Sequence, residues 1–476
     1  GGGGGGGGAS ASASNNRKSA GDGGATGGTA GRTAALELIA SSKCAPWDPI
    51  TRKALDVDKQ LLLDDSGEIK GGTQGALIAS LYMNGVSTPA ALLTFLLTYN
   101  SFVAEADLVE GWMACYRHWL PAPDDSDEVK AEKKKYRIRI GNCLKKWLED
   151  FADFVTHKEI GDTFVNFVER VIFPVDDTLA LTLKLKYFQT LSFVSAAPEK
   201  VFDDAPPRPL LPKSGTRVNI HTLDSVELAR QITLLDYRWF AKIRAKEFLD
   251  QAWTKADKEQ RCPNLFATIR KFNMMSGWFV ETLVTESDLR KRVALLKKLI
   301  KTADACCALN NFNGVFAILS ALNSSSVYRL RRTWDELSAD KHNVYDRLSE
   351  LTRTTKSYKN YRDTLHTVNP PCVPYMGVYQ TDLTFIHDGN PKMLAANAER
   401  PLELVNFARC RMTANVVREI RLYQQMPYNL VAVESVQNYL SSDEVLVERT
   451  EKALYAMSLA SEPRDGGGGG GGGGGG

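Results

Sequence analysis

The side chains that could do chemistry are scattered along this chain and form no recognisable catalytic set. The sequence lacks the G-x-S-x-G turn of serine hydrolases, the H-E-x-x-H helix of zinc proteases and the G-x-x-x-x-G-K-[ST] phosphate loop. The nearest glycine cluster, residues 71–75, lacks the lysine of a phosphate loop, and we expect it to open a helix with no strand before it. We therefore expect no bond chemistry, either covalent or metal-assisted.

Cysteine and histidine, the usual ligands of structural metal sites, are equally dispersed. The eight cysteines include no C-x-x-C pair, and the six histidines do not cluster. This spacing favours reduced, mostly buried thiols in a cytosolic protein over a disulfide framework or a zinc site. We expect no cofactor and no metal.

Composition sets the size and the broad class. A chain of 476 residues with 43% apolar content is long enough for two or three domains with substantial cores. The formal net charge of +3 gives no reason to expect nucleic acid as a partner. The richest apolar run, residues 90–99, has about half of the ~20 residues that a transmembrane helix needs, so we expect no transmembrane segment.

The elements that must position any site are predominantly helical, since apolar residues recur at helical spacing in both halves of the chain. We expect an all-α protein with two helical domains. A capping-box-like signal at Asp224 and Glu227 starts the second domain. The predicted segments are a disordered tail (1–33), an N-terminal extension (34–72), a first helical domain (73–203), a proline-rich linker (204–217), a second helical domain (218–465) and a glycine tail (466–476). A ligand for an SH3-type domain is the alternative to a linker.

The segment 369–391 contains prolines and paired aromatic residues and ends in the turn signal Asp388-Gly389-Asn390-Pro391. Beyond it, Pro401 and Pro427 bracket a predicted helix of about 25 residues, roughly 37 Å long. The run 379–386 would pack back against this helix, which gives a protruding antiparallel helical hairpin. Spacing alone leaves open an ordinary helix pair buried in the core.

The segment 369–391 closely resembles the core motif of guanine-nucleotide exchange factors for Ras-family GTPases, of the Son-of-Sevenless type. Other blocks resemble the same family in its order over about 230 residues, and two upstream blocks resemble the Ras-exchanger motif domain that precedes its catalytic domain. The catalytic-domain blocks are 224–242, 253–258, 264–270, 292–293, 309–314, 321–330 and 404–407, and the upstream blocks are 72–79 and 95–102.

The resemblance implies that the protein promotes GDP release from a Ras-subfamily GTPase, Ras or Rap, by inserting the hairpin beside the nucleotide and so allowing GTP loading. Thr384 takes the place that blocks the metal and α-phosphate region, where Son-of-Sevenless has leucine. Asp388 takes the place of the acidic residue, usually glutamate, that offers the phosphate-loop lysine a new partner. The residues carried over as GTPase contacts are Trp253, Arg270, Asn323, Ser325, Tyr328, Tyr358, Tyr375, Thr381 and Asn390.

Three alternatives stay open beside this reading. Asp388 could cap the local turn, as aspartate before glycine usually does, and Trp253 and Tyr375 could support the core. An exchanger-like scaffold would bind a GTPase or another protein without stimulating exchange. The expected location is the cytoplasm, with peripheral recruitment to the inner membrane surface left open.

Overall fold

A computed structural model describes residues 25–150, 157–195, 202–213 and 215–463. These residues form two predominantly helical domains, which confirms the all-α prediction. Residues 1–24 of the predicted disordered tail, and the glycine tail 466–476, lie outside the described residues.

The first half contains eight α-helices and two short strand pairs among the described residues. Threonine side chains start two of its helices, because the hydroxyls of Thr73 and Thr88 accept from backbone N–H groups in the first turn. The elements are α1 (Ala25–Ala40), β1 (Trp47–Asp48), β2 (Lys53–Ala54), α2 (Val57–Gln60), β3 (Leu61–Leu63), β4 (Ile69–Gly72), α3 (Gln74–Ser80), α4 (Pro89–Thr98), α5 (Glu105–His118), α6 (Asp127–Asp150), α7 (Lys158–Phe167) and α8 (Asp177–Ser195).

Helix α1 occupies residues 25–33, where the sequence led us to expect disorder. Gly31 of this helix permits a close contact, since a Cβ added to it would lie 2.5 Å from the carbonyl oxygen of Ser66. Arg32 N also donates to Asp65 O in the same turn. Gly31 thus serves close packing, a role that composition alone does not distinguish from that of a flexible tail.

The expectation that no strand precedes the glycine cluster is wrong, because Gly71 and Gly72 end strand β4. This strand pairs antiparallel with β3 and, on its other edge, with a strand from the second half of the chain. Hydrogen bonds to residues more than 300 positions away cannot be detected from local spacing.

The second half begins at α9, capped as predicted by Asp224, whose carboxylate accepts from the N–H groups of Val226 and Glu227. Glu227 itself accepts from Leu210 N in the linker, 2.9 Å away. The elements are α9 (Ser225–Phe240), α10 (Lys258–Arg261), α11 (Pro263–Val284), α12 (Leu289–Ala308), α13 (Phe312–Leu322), α14 (Ser325–Tyr328), α15 (Arg331–Asp335), α16 (Ala339–Thr352), α17 (Thr355–Leu365), α18 (Met376–Gly389), β5 (Met393–Leu394), β6 (Leu404–Asn406), α19 (Phe407–Gln424), α20 (Glu434–Leu440) and α21 (Glu451–Ser461).

The helix predicted to start at Pro401 starts instead at Phe407, and this prediction was wrong by about six residues. Residues 404–406 form strand β6, and the side chain of Asn406 caps α19 by accepting from Arg409 N. The 18 residues of α19 correspond to about 27 Å. It packs against α18, and Tyr379 near the start of α18 donates to Glu419 near the end of α19 over 2.7 Å.

The two halves share both a sheet and a core. The four-stranded sheet has the order β3-β4-β6-β5, so each half supplies two strands. Val405, Phe407 and Cys410 belong to the apolar core of the first half, and α4 packs along α19. Arg411 of α19 donates to Ile69 O, over 2.7 Å. The helix that we predicted as one arm of the hairpin is therefore held by the first half of the chain.

Candidate functional site

The C-terminal end of α18 carries the two residues predicted to be catalytic. Thr384 is half-buried, and its hydroxyl donates to Gln380 O over 2.8 Å within the helix. Thr381, Thr384 and Asp388 follow at spacings of three and four, so they share one face of α18. Beside them Phe385 leaves 65% of its surface exposed.

Asp388 lies in the last turn of α18, where its carboxylate is 65% exposed. It accepts from Gln251 Nε2 over 3.2 Å, and His387 Nδ1 lies at the same distance. Asn390 closes the helix instead, donating from Nδ2 to Ile386 O over 3.0 Å. A negative charge at a helix C-terminus costs about 0.3–1 kcal/mol. The position of Asp388 therefore does not serve the stability of α18.

A neighbouring segment, 245–254, supports this end of the helix, and of its residues the sequence analysis singled out only 253–254. Residues 245–254 reverse direction at Asp250 and Gln251, both of which have positive φ angles. The Asp250 carboxylate accepts from Lys392 over 2.9 Å and lies 3.6 Å from Arg409. Sequence gave no signal for these contacts, because positive φ at residues other than glycine has no reliable local pattern.

The same segment carries Trp253, which is half-buried against the apolar core of the second half. Thr381 donates its hydroxyl to Gly377 O over 2.9 Å, a bond within α18. The segment that carries Trp253 packs against α18.

Tyr375 and Tyr358 belong to one aromatic cluster. The Tyr375 ring stacks on Phe316 with centroids 4.0 Å apart and an interplanar angle of 7°. Tyr358 lies 6.0 Å from Phe316 and 6.4 Å from Tyr375, and Phe272 flanks Tyr375 at 5.4 Å. Burial raises the pKa of Tyr375. Both tyrosines are half-buried, so one side of each supports the core.

Asn323, Ser325 and Tyr328 form a second group, at the junction of α13 and α14. All three are exposed, Tyr328 by 58%. Asn323 Oδ1 accepts from Tyr345 OH over 2.5 Å, and the Arg331 guanidinium lies 5.5 Å from the Tyr328 ring centroid. An exposed Asn–Tyr–Arg set has the composition of a protein-binding hot spot.

Arg270 lies on α11, whose Phe272 contacts the aromatic cluster. Its Nε donates to Glu448 over 2.7 Å, and both side chains are more than half exposed. An ion pair of this kind contributes about 0–1 kcal/mol, so a binding partner can replace Glu448 at low cost.

Within the described residues, no group of three or more His, Cys, Asp or Glu side chains could hold a metal ion. The described helices also include none that is long and apolar enough to cross a membrane. All eight cysteines lie in this part of the chain as free thiols, and seven of them are buried.

Comparison with known proteins adds an independent finding. Residues 68–167 match the RasGEF N-terminal motif, and residues 227–411 match the RasGEF domain. The chain is 35% identical over 383 residues to "Ras guanine nucleotide exchange factor E" of Dictyostelium discoideum, covering 71% of this chain and 36% of that protein. It is 30% identical to "Ras guanine nucleotide exchange factor A" of the same organism, covering 84% of this chain and 66% of the relative.

A third relative is "Ras-specific guanine nucleotide-releasing factor 2" of Danio rerio, which is 35% identical over 334 residues. That alignment covers 68% of this chain and 26% of the relative. The chain thus spans between about a quarter and two thirds of the length of these relatives. With both domain matches in order along its two halves, this chain belongs to the RasGEF family.

Proposed function

We propose that this protein is a guanine-nucleotide exchange factor that promotes GDP release from a Ras-subfamily GTPase. The single observation that carries the proposal is the ordered match to the RasGEF N-terminal motif and the RasGEF domain. We propose the same division of the chain as above, with helical halves at 73–203 and 218–465 joined by the linker 204–217.

An exchange factor works by binding the nucleotide-free GTPase more tightly than the loaded form. Linkage then requires the affinity of the GTPase for nucleotide to fall by the same factor. Much of that affinity comes from Mg²⁺ and from the phosphate loop with its lysine. The exchanger therefore has to disturb the metal region and give the lysine another partner, without bond chemistry of its own.

In our proposal the C-terminal end of α18 enters the GTPase beside the nucleotide. Thr384 blocks the metal and α-phosphate region, and Asp388 receives the phosphate-loop lysine. The exposed Phe385 would become buried between the two proteins, and this burial would contribute about 1.5–3 kcal/mol to binding. Thr381 and Asn390 would contact the GTPase on either side.

The remaining contacts extend this surface. Asn323, Ser325 and Tyr328 would bind the second switch region, where their exposure leaves them available. Arg270 would exchange Glu448 for an acidic residue of the GTPase. Tyr358, Tyr375 and Trp253 would present their exposed edges while their other sides remain packed in the core.

The test is the release of a fluorescent GDP analogue from Ras, Rap and Ral proteins, with and without this chain. We expect release from at least one of them to accelerate, and the panel would decide between Ras and Rap. If release from every member of the panel stays at its spontaneous rate, the proposal fails. We propose that this activity takes place in the cytoplasm, with peripheral recruitment to the inner membrane surface as the alternative.

The second candidate is a scaffold that binds a GTPase without releasing nucleotide. Two observations favour it. Aspartate is one methylene shorter than the family's usual glutamate, and the Asp388 carboxylate already accepts a hydrogen bond from Gln251. Tight binding to a nucleotide-free GTPase together with unchanged release rates would support the scaffold.

A further inference from the structure

Helix α8 carries apolar residues on two faces, and among the described residues only one of these faces is covered. Its inner face packs against α6, and its buried residues there are Ala180, Leu183 and Tyr187. On the outer face Leu181, Leu185 and Phe188 are 59%, 58% and 49% exposed. A helix that is apolar all round is normally covered all round.

The outer residues have the spacing of a helix-pairing seam. Leu181, Leu185 and Phe188, which we call the α8 stripe, follow at intervals of four and three. This is the spacing with which a and d residues of paired helices interlock. Phe173 and Val175, just before α8, are 50% and 41% exposed and add apolar surface at its start.

The charges beside the stripe are already balanced within the chain. Lys184, next to Phe188 around the helix, pairs with Glu169 over 2.6 Å, whereas Lys186 lies toward α6 and pairs with Glu149 of that helix over 3.3 Å. Asp177 adds an exposed negative charge in the first turn. Helices that lie on anionic membranes carry an excess of Lys and Arg beside the apolar face. The α8 stripe lacks that excess, so its charge favours an uncharged protein surface over a lipid surface.

We propose that the α8 stripe is a homodimer interface, in which α8 of one copy packs antiparallel against α8 of a second copy. A two-fold axis near Leu185 places Leu181 of each copy opposite Phe188 of the other, a self-complementary arrangement. The five exposed apolar residues present roughly 500 Å², more than half of the about 800 Å² that each partner of a standard interface buries. The Lys184–Glu169 pair would form part of the polar rim.

This inference does not depend on the exchange activity. The α8 stripe lies in the first half of the chain, whereas the candidate GTPase-binding residues lie between Trp253 and Asn390. A dimer would carry two such surfaces.

The experiment is sedimentation equilibrium of the purified chain over a range of micromolar concentrations. We expect a reversible transition between the 52.5 kDa monomer and a species of twice that mass. Leu185→Glu should weaken dimerisation by more than about tenfold, because the interface would bury an unpaired carboxylate. Leu211→Glu is the matched control, since Leu211 is similarly exposed, at 56%, but lies in the linker; it should leave dimerisation unchanged.

Both variants replace exposed side chains, so circular dichroism and thermal unfolding should match the wild type and show that loss of the dimer is not loss of the fold. As a second measurement, Leu185→Cys should form an intermolecular disulfide on mild oxidation, and Leu211→Cys should not. A chain that stays monomeric at all concentrations, or a dimer unaffected by Leu185→Glu, would overturn the proposal. So would a monomer that binds anionic vesicles through the α8 stripe.

Discussion

The side-chain amide of Gln251 donates to Asp388 over 3.2 Å and so occupies the carboxylate to which we assign a role in exchange. This hydrogen bond is made to a neutral donor at an exposed position. A lysine ammonium adds the attraction between two opposite charges, which the neutral amide lacks and which grows as the binding surfaces exclude water. We therefore expect a GTPase lysine to displace Gln251 when the two proteins bind.

The first prediction concerns the charge of Asp388. Asp388→Asn keeps the size of the side chain and removes its charge, and a hydrogen bond to a charged group contributes about 1.5–3 kcal/mol. We expect exchange to slow by roughly 10- to 100-fold, measured as the release rate of fluorescent GDP at saturating GTPase. Asp58→Asn, at an exposed position of α2, is the control and should have no effect. An unchanged rate in Asp388→Asn would mean that the acidic role is misassigned.

The second prediction concerns the reach of the same carboxylate. Asp388→Glu adds the methylene that the family usually has, so we expect exchange at least as fast as in the wild type. Gln251→Ala frees the carboxylate and should not slow exchange either, because Gln251 is displaced on binding. If Gln251→Ala slows exchange as much as Asp388→Asn does, Gln251 acts in the bound state and our account of this contact is wrong.

The third prediction concerns the contact between β4 and β6. A Cβ on Gly71 would lie 2.9 Å from Val405 O, a backbone atom that cannot move without separating the strands. We expect Gly71→Ala to lower the free energy of unfolding by about 1–3 kcal/mol and to increase hydrogen exchange in residues 393–406. Gly277→Ala is the matched control, because its Cβ would lie at an ordinary distance of 3.5 Å from the side chain of Arg449. Gly277 lies inside α11, where alanine is more favourable than glycine by about 1 kcal/mol. Equal stability of the two variants would contradict this account.

The fourth prediction compares a buried ion pair with an exposed one. Arg292 and Glu462 are 2% and 5% exposed and pair over 2.9 Å, and Glu462 also accepts from Thr333. Glu462→Gln leaves the Arg292 charge buried without a counter-ion, so we expect a loss of about 3–5 kcal/mol in urea unfolding. Glu448→Gln, which removes the exposed partner of Arg270, should cost at most about 1 kcal/mol. Similar losses in both variants would show that burial does not set the difference.

The fifth prediction is a pH dependence of stability. Burial lowers the pKa of Lys271 to about 7, against the opposing effect of Asp236 and with a smaller contribution from Arg238. Its ammonium lies 5.3 Å from the Trp239 ring centroid. Between the folded pKa near 7 and the unfolded pKa near 10.4, the unfolded chain binds one more proton, so stability rises with pH by at most about 1.4 kcal/mol per unit.

The variant Asp236→Asn with Lys271→Met removes both ionisable groups. We expect the wild type to gain free energy of unfolding relative to this variant as the pH rises from about 7 to about 9, in urea titrations. Thiol ionisation in the unfolded state affects both proteins alike and cancels in the difference. Parallel pH profiles would mean that Lys271 stays charged in the native protein.

Local sequence signals predicted those elements whose caps and helical spacing depend on neighbouring residues. The cap at Asp224 and the helical spacing of α9 depend on neighbours within one or two turns. The start of α19 was missed because Val405 pairs with Gly72 and Met393, and no local preference records those partners. Pro401 was predicted to start the helix because the strand pairing of Val405 cannot be inferred from the neighbouring sequence.

In the candidate site, too, sequence motifs indicated individual residues but not their long-range partners. The order of motifs made Asp388 and Asn323 candidates, yet their hydrogen-bond partners Gln251 and Tyr345 could not be found from sequence. Gln251 reaches Asp388 from 137 positions away and from a left-handed backbone conformation. Such partners depend on tertiary packing, which spacing along the chain does not encode.

The antiparallel sheet that both halves build has a consequence for how this protein can be divided. A fragment that begins after the linker would keep β6 and β5 but lose β4, which leaves an open strand edge and uncovers Phe407. A fragment that ends before the linker would expose the other edge of the same sheet. Although two family matches divide the chain, we expect the smallest portion that folds as an intact piece to extend across both of them.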